Sequence, residues 1–274
     1  MGVEDLTKPM KKLNFVSIAT NGYLDYWKDQ AQSINHHISP DTMCKLFLYT
    51  DQPLDARSFA KELTRVQVKI FTIPSYGWPD ASLLRYRLIF SKAATWPRDE
   101  IMVYLDADML AVSSLSYRDF NQKDKRGVTL VRHPGYFRPP GYSIIKFYFA
   151  HPKVAFRDLI VSVFGGGLGA WETRPSSTAF VERKLRRGYF CGGIWWGTVS
   201  EILSLCESLA SRIDLDSSRG VLAIWHDESH LNWWATTNPH QTASPAYCFA
   251  SEYPALKTLT PKIVAVDKRI ASPG

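Results

Sequence analysis

Residues 101–108 are Ile-Met-Val-Tyr-Leu-Asp-Ala-Asp, five hydrophobic residues followed directly by a pair of aspartates. An uninterrupted hydrophobic strand is typically buried on both faces, as a central strand of a parallel sheet is. Carboxylates at the carboxyl end of such a strand lie where open α/β sheets bind their ligands. The stretch therefore predicts a central strand with a polar site at its end.

The chain before this stretch alternates strand-like and helix-like segments. Short hydrophobic runs at 13–20, 45–50 and 66–73 are separated by helical spacing at 24–38 and 56–64. This alternation is typical of a mostly parallel sheet whose first half binds a nucleotide. We therefore predict an α/β protein with a central, Rossmann-like sheet flanked by helices.

Further elements follow on either side of the aspartates. Residues 81–94 are predicted to form one helix that carries Arg85, and residues 200–213 form an amphipathic helix. A strand at 189–197 contains Gly192-Gly193, which would let a ligand or another backbone approach closely.

The segment 138–170 is rich in aromatic residues and ends near a run of glycines at 165–169. The glycines lack the spacing of a phosphate-binding loop, and we interpret them as a flexible hinge or lid. For the aromatic run 142–149 we predict core packing, with contact to a membrane or a partner as the alternative.

The composition favours anionic partners. Among 274 residues the net charge is +7, which suits phosphates, nucleotides or an anionic membrane face. Basic residues form no dense tract with interleaved aromatics, so we do not expect a nucleic-acid partner.

Cysteine usage and hydropathy indicate the compartment. The four cysteines are widely spread without a C-x-x-C pair, which predicts neither a zinc site nor a disulfide scaffold. The first residues are polar, and no apolar run approaches the ~20 residues that span a bilayer. We expect a cytoplasmic protein that can associate peripherally with the inner face of the membrane.

Asp106 and Asp108 are candidate metal ligands. Alternate residues of a strand face the same way, so we expect both carboxylates to converge on one cation. Hard ions such as Mn²⁺ or Mg²⁺ take oxygen ligands, and nucleotide phosphates would complete the shell. The alternative, two solvated aspartates in a turn that ends the strand, stays open on this motif alone.

A second polar cluster occupies residues 225–232, Trp-His-Asp-Glu-Ser-His-Leu-Asn. Carboxylates held against aromatic surface are partly desolvated, which is how such groups are tuned for catalysis. The alternative is a helix start capped by Asp227 or Ser229, with His230 and Asn232 on a solvated face. The stretch alone does not decide between the two interpretations.

Taken in order, these motifs resemble a known enzyme family. The resemblance rests on Asp106-Ala107-Asp108, His133-Pro134-Gly135, Glu172-Thr173-Arg174-Pro175, Ser177-Thr178-Ala179-Phe180, the double glycine, Trp225–Asn232 and Leu259-Thr260-Pro261-Lys262. It is to the retaining glycosyltransferases of the histo-blood-group A and B transferases and α-1,3-galactosyltransferase. Within that family the chain is similar to the bacterial members without a membrane anchor.

The resemblance implies a single GT-A domain over residues 1–274. A nucleotide-binding half would span residues 13–110, an acceptor-binding and catalytic half residues 111–262, and a tail closing over the donor residues 263–274.

The resemblance also implies roles for individual residues. The metal, Mn²⁺ or Mg²⁺, would be held by Asp106 and Asp108. The donor would be bound by Ile18, Thr20, Tyr23, Asp80, Arg85, Cys191, Gly192, Gly193, Asp227 and Lys268. The acceptor would be contacted by His133, Trp225 and Glu228, and the catalytic residues would be Glu228 and Asp227.

The implied reaction is retaining, metal-dependent transfer from a UDP-sugar to a galactose-containing or lipid-linked glycan in α-1,3 linkage. Glycine at position 193 would leave room for an acetamido group, which favours UDP-GalNAc over UDP-galactose. The alternatives are a UDP-galactosyltransferase with a different acceptor, a nucleotide-sugar hydrolase and a non-catalytic glycan-binding protein. Glu228 would either attack the anomeric carbon or stabilise an ion pair, and the sequence leaves both routes open.

Overall fold

The computed structural model of the protein describes residues 11–121 and 127–266. Nine strands are found in this part of the chain: β1 Lys11–Ile18, β2 Thr42–Thr50, β3 Val66–Thr72, β4 Ile101–Leu105, β5 Met109–Ala111, β6 Thr129–Arg132, β7 Phe190–Thr198, β8 Gln241–Ala243 and β9 Ile263–Ala265. The described α-helices are α1 Tyr23–His37, α2 Pro53–Ala60, α3 Asp80–Leu83, α4 Arg85–Phe90, α5 Tyr117–Phe120, α6 Ser143–Ala150, α7 Pro152–Ile160, α8 Val199–Ser218 and α9 His226–Thr237.

Seven strands form one sheet in the order β3-β2-β1-β4-β7-β6-β8. Strands β3, β2, β1 and β4 run parallel to one another, and β6 runs parallel to β8. Strand β7 is antiparallel to both β4 and β6. The predicted fold class, a mostly parallel sheet flanked by helices, is confirmed. The division of the chain at residues 110 and 262 stays a prediction.

The continuous hydrophobicity of β4 is explained by its burial on both faces. Val103 and Leu105 belong to a cluster completed by α1, whereas Met102 and Tyr104 belong to a second cluster completed by α4, α8 and α9. Because successive strand residues point to opposite faces, the two clusters cover the two sides of the sheet. The strand ends at Leu105, as predicted. The turn that follows therefore lies at the carboxyl end of a central strand.

Two sequence predictions need correction. The helix expected over 81–94 is interrupted at Leu84 and gives α3, α4 and a short 3₁₀ turn at Ala93–Thr95. The aromatic run 142–149 is not part of the core, since no residue of α6 is buried. The interpretation of the glycines at 165–169 as a hinge or lid stays a prediction.

Among the residues that the structure describes, no helix is long and apolar enough to cross a membrane.

Candidate active site

A cavity of about 420 Å³ opens beside the carboxyl ends of β1 and β4. Its lining includes six of the predicted site residues: Ile18, Thr20, Tyr23, Arg85, Asp106 and Asp108. It also includes aromatic residues that the sequence did not single out as site residues: Tyr26, Tyr76, Trp78 and Tyr104. This position is the one at which open α/β sheets bind ligands.

Asp106 and Asp108 lie in the turn between β4 and β5 and not on the strand itself. Strand alternation therefore does not bring them together, and the expectation on that ground was wrong. Both residues nevertheless line the same cavity, because the tight turn places them at its wall. The backbone N–H of Asp106 donates to Gly193 O at 2.8 Å, which fixes the turn against β7.

The Asp106 carboxylate is held by two neighbours. The Tyr104 hydroxyl donates to Asp106 Oδ1 at 2.7 Å, and the Arg85 guanidinium lies 3.2 Å from the same oxygen. Burial raises the pKa of Tyr104, so its hydroxyl remains a neutral donor. The Tyr104 ring stacks on Trp195 at 4.6 Å, which holds the hydroxyl in place.

Arg85 is buried and connects the cavity to helix α9. Besides Asp106, its Nε lies 3.3 Å from Asp227 Oδ2, and its guanidinium donates to Gly192 O at 2.9 Å. A buried guanidinium requires charged and carbonyl partners on several sides, and its fork geometry suits that arrangement. Arg85 thus ties the aspartate turn, strand β7 and helix α9 into one unit.

Asp227, in the first turn of α9, is buried. Burial raises its pKa to about 6, although the Arg85 charge acts in the opposite direction. Among the described residues, no hydrogen bond reaches Asp227 Oδ2, despite the nearby Arg85 cation. A buried carboxylate oxygen without a hydrogen bond is suited to accept one from a ligand hydroxyl.

Glu228 follows Asp227 and is held against the glycine pair of β7. Its Oε2 accepts a hydrogen bond from Gly192 N at 2.8 Å, and its carboxylate interacts with the Tyr189 hydroxyl. Burial raises the pKa of Glu228 to about 7, which exceeds the lowering effect of these hydrogen bonds. A Cβ at position 192 would lie 3.2 Å from Asp227 Oδ2, so any larger residue would require this carboxylate to shift slightly.

Helix α9 is held in place by its own polar residues. The Asn232 side chain exchanges hydrogen bonds of 2.8 Å with the backbone of Phe190 on β7. His230 is buried 3.6 Å from Asp216, which also accepts a hydrogen bond from Ser177 at 2.6 Å. The interpretation with His230 and Asn232 on a solvated face is therefore wrong. These side chains fix the helix that carries Asp227 and Glu228.

The predicted acceptor residues His133 and Trp225 do not belong to the lining of this cavity. His133 packs against Tyr136 and Tyr189, at centroid distances of 5.1 and 5.7 Å. Burial lowers the pKa of His133 to about 4, so the ring is neutral at pH 7. Trp225 precedes α9 with 52% of its surface exposed, which leaves its ring available for stacking.

Some predicted residues are not brought into the cavity. Asp80 is exposed at the start of α3 and does not belong to the lining of the cavity. Cys191 is buried beside Cys248, and Gly193 faces Asp106. Lys268 lies outside the described residues.

Trp78 and Tyr189 are the main contributors that sequence reasoning missed. Trp78 lines the cavity and its ring meets His226 edge-on at 4.8 Å, which joins the cavity to α9. Tyr189 contacts both His133 and Glu228. The only sequence signal for either residue was its place next to a predicted motif.

The residues fit a divalent cation only in combination with a ligand. Among residues 11–121 and 127–266, no group of three or more His, Cys, Asp or Glu side chains is placed to hold a metal ion. Asp106 and Asp108 would supply carboxylate oxygens from one wall, and hard cations accept the remaining ligands from phosphates. The donor set thus suits a cation that arrives with a diphosphate.

The chain is similar in sequence to known glycosyltransferases. The sequence profile of Glycosyltransferase family 6 matches residues 168–271, which include Gly192, Asp227 and Glu228. Over these residues the chain is similar to glycosyltransferase family 6. The resemblance to the blood-group transferases is confirmed, and the match supports the predicted enzyme class, a hexosyltransferase.

Individual relatives extend the similarity along the chain. Histo-blood group ABO system transferase 1 of Rattus norvegicus is 24% identical over 262 residues, which cover 91% of this chain and 65% of the rat protein. O-antigen biosynthesis glycosyltransferase WbnI of Escherichia coli is 22% identical over 260 residues, which cover 93% of this chain and 94% of that protein. Globoside alpha-1,3-N-acetylgalactosaminyltransferase 1 of Homo sapiens is 32% identical over 85 residues, 31% of this chain and 24% of the human protein.

The chain therefore spans about two thirds of the rat transferase and nearly the full length of the bacterial one. The similarity to these two transferases thus reaches beyond the profile match into the half that contains Asp106 and Asp108.

Proposed function

We propose that the protein is a metal-dependent retaining glycosyltransferase that moves GalNAc or galactose from a UDP-sugar to a galactose-containing glycan in α-1,3 linkage. The contact of Arg85 with both Asp106 and Asp227 carries the proposal. Because one buried cation bridges the two motifs, the aspartate turn and the carboxylates of α9 act on the same ligand.

The cavity suits the nucleotide part of the donor. Tyr23 and Tyr26 lie 5.7 Å apart at one side, and the exposed ring of Trp78 stands at another. Aromatic faces of this kind stack on a nucleobase such as uracil. Ile18 and Thr20 would border the same base.

The diphosphate would lie beside Asp106 and Asp108. A divalent cation bound there would offset the negative charge that gathers on the leaving UDP. Arg85 contributes a fixed positive charge at the same wall, and its burial strengthens that effect because less water screens it. We assign it to orienting the Asp106 carboxylate and to balancing the charge of the donor.

Asp227 and Glu228 would act on the transferred sugar. The Asp227 oxygen without a hydrogen bond would accept one from a donor hydroxyl. The Glu228 carboxylate would face the anomeric carbon, where positive charge develops in an oxocarbenium-like transition state. Direct attack by Glu228 and stabilisation of an ion pair both retain the anomeric configuration, and both use the same placement.

The acceptor would approach from the side of His133 and Trp225. His133 is neutral and its Nδ1 accepts a hydrogen bond from Gly135 N at 3.1 Å, so its Nε2–H is left to donate to a sugar hydroxyl. The exposed indole of Trp225 offers an apolar face for a galactose ring. These features support a galactose-containing glycan, free or lipid-linked, as the acceptor.

A donor panel tests the proposal. UDP release from UDP-GalNAc, UDP-galactose, UDP-glucose and UDP-GlcNAc is measured with and without galactose-terminated acceptors. The proposal expects acceptor-stimulated release from UDP-GalNAc, followed by UDP-galactose, and an α-configured product by NMR. Galactose as the preferred sugar would favour the galactosyltransferase alternative. Release that no acceptor stimulates would favour a hydrolase. Sugar binding without turnover would indicate a glycan-binding protein.

A further inference from the structure

The helical hairpin formed by residues 138–164 exposes an unusual amount of apolar surface. Eight of its large hydrophobic side chains keep between 40% and 84% of their surface exposed: Tyr142, Ile145, Phe149, Phe156, Leu159, Ile160, Val163 and Phe164. So many exposed apolar side chains within one short segment indicate an interaction site.

Helix α7 of the hairpin exposes its apolar residues and buries a charged one. Phe156, Leu159 and Ile160 have the i, i+3, i+4 spacing of a stripe that usually faces a protein core, yet all three are exposed. The buried residue of this helix is instead Asp158. A helix that buries its carboxylate and exposes its apolar stripe is built to meet an apolar environment outside the protein.

The buried carboxylate anchors the hairpin. The Arg138 guanidinium donates to Asp158 at 2.8 Å, and the Tyr148 hydroxyl donates to it at 3.1 Å. Arg138 and Arg157 also each donate to Gly135 O at 3.2 Å. Because Gly135 follows His133 by two residues, these bonds fix the hairpin to the predicted acceptor side of the site.

The charge of the hairpin selects one kind of apolar environment. Residues 138–164 contain four basic residues and one acidic residue, Asp158, which is buried among arginines. Lys146 and Lys153 are exposed beside the apolar side chains. Cations bordering an exposed apolar face are typical of helices that lie in the interface of an anionic bilayer. The net charge of +7 for the whole chain acts in the same direction.

A recess on α6 and the first residue of α7 supports this occupant. Ile145, Tyr148, Phe149 and Pro152 line a recess of about 330 Å³. The walls of this recess are mostly hydrocarbon, which suits an acyl or isoprenoid chain and not a polar ligand.

We propose that the hairpin 138–164 docks the protein on an anionic lipid bilayer, with Phe149, Phe156 and Phe164 entering the interface and Lys146 and Lys153 meeting the headgroups. Docking there would bring a lipid-linked acceptor to the His133 side of the site. The delivery of a lipid-linked acceptor rests on the proposed function. Binding to the bilayer does not, so either statement can be wrong while the other holds.

Vesicle flotation tests the docking surface. The full chain is mixed with vesicles of phosphatidylcholine alone or with phosphatidylglycerol at one third of the lipid. We expect flotation with the anionic vesicles, weaker flotation in high salt and little with the neutral ones. Each phenylalanine that enters the interface contributes roughly tenfold to partitioning. The double variant Phe149→Ser/Phe156→Ser should therefore partition onto the anionic vesicles about a hundredfold more weakly than the wild type.

Matched controls separate docking from misfolding. Leu54→Ser removes an apolar side chain that is 77% exposed on α2, next to the opposite edge of the sheet, and should bind vesicles as wild type does. The double variant should keep the wild-type circular dichroism, melting temperature and UDP release with a soluble acceptor. Equal flotation of the double variant and the wild type overturns the proposal. The proposal is also overturned if the wild type is a dimer that does not bind vesicles and the double variant is a monomer.

Discussion

The Arg85 guanidinium lies 3.3 Å from the Asp227 carboxylate and 3.2 Å from that of Asp106. These two carboxylates are 121 residues apart in the sequence, and each belongs to a different motif. One buried cation therefore sets the distance between the predicted metal side and the predicted sugar side of the site. A change at Arg85 disturbs both sides at once.

Replacing Arg85 with lysine tests this coupling. Lysine keeps the charge but carries a single ammonium, which cannot reach Asp106, Asp227 and Gly192 O together. We expect kcat/KM for the donor to fall by about 10²-fold, the usual scale for losing a preorganised charged group. Arg87→Lys on the same helix, at an exposed ion pair with Asp214, is the control. Activity within twofold of wild type would show that Arg85 does not organise the site.

The metal prediction is tested at Asp108. We expect Asp108→Asn, or EDTA added to the wild type, to lower turnover about 10²-fold or more, because the charge on the leaving diphosphate is no longer offset. Mn²⁺ should restore the EDTA-treated wild type but not the variant. Asp55→Asn, at an exposed site on α2, is the control. Turnover that EDTA leaves unchanged would exclude a metal role for the aspartate turn.

The donor preference is tested at Gly193. A Cβ at this position would lie 3.0 Å from Asp106 Oδ2 and 3.3 Å from Met109 Sδ, so the carboxylate must shift. Gly193→Ala should therefore raise the Mn²⁺ concentration needed with either donor. It should also shift the ratio of UDP-GalNAc to UDP-galactose turnover roughly tenfold towards galactose.

Gly188→Ala is the control for Gly193, because its methyl would make ordinary contact with Phe190 at 3.5 Å. A changed metal requirement at an unchanged donor ratio would contradict the assignment of Gly193 to donor selection. That result would still agree with the expected effect of the Gly193–Asp106 contact on metal binding.

Glu228 gives a prediction for stability against pH. Its pKa in the folded protein is raised to about 7, so its contribution to stability is full below the unfolded value near 4.5 and is lost as the pH rises through 7. Glu228→Gln should therefore gain roughly 2–3 kcal/mol in unfolding free energy relative to wild type between pH 5 and pH 8. Urea unfolding at both pH values measures this gain. A constant difference between the two proteins would mean that folding does not raise the pKa of Glu228.

Sequence patterns predicted the elements that depend on continuous burial. Strand β4 was placed at its observed bounds, because a run buried on both faces is hydrophobic throughout. The resemblance singled out Asp106, Arg85, Asp227 and Glu228, and the structure brings them together around the guanidinium. Tyr104 was not recognised as a partner of Asp106, since a tyrosine inside a hydrophobic strand has the pattern of a core residue.

The hairpin 138–164 was mispredicted for a related reason. Hydrophobicity shows that Phe149 and Phe156 avoid water, but it does not show what covers them. The deciding feature is the burial of Asp158 with Arg138, 20 residues away, which turns the apolar stripe outward. Such an inversion depends on tertiary pairing and is invisible to local periodicity.

The most direct test of the central claim is UDP release by Glu228→Gln, compared with Glu207→Gln at an exposed site on α8. We expect Glu228→Gln to lower kcat by about 10³-fold or more while UDP binds with the wild-type Kd, and Glu207→Gln to behave as wild type. Normal turnover by Glu228→Gln, with the wild-type acceptor dependence, would contradict the assignment of the reacting centre.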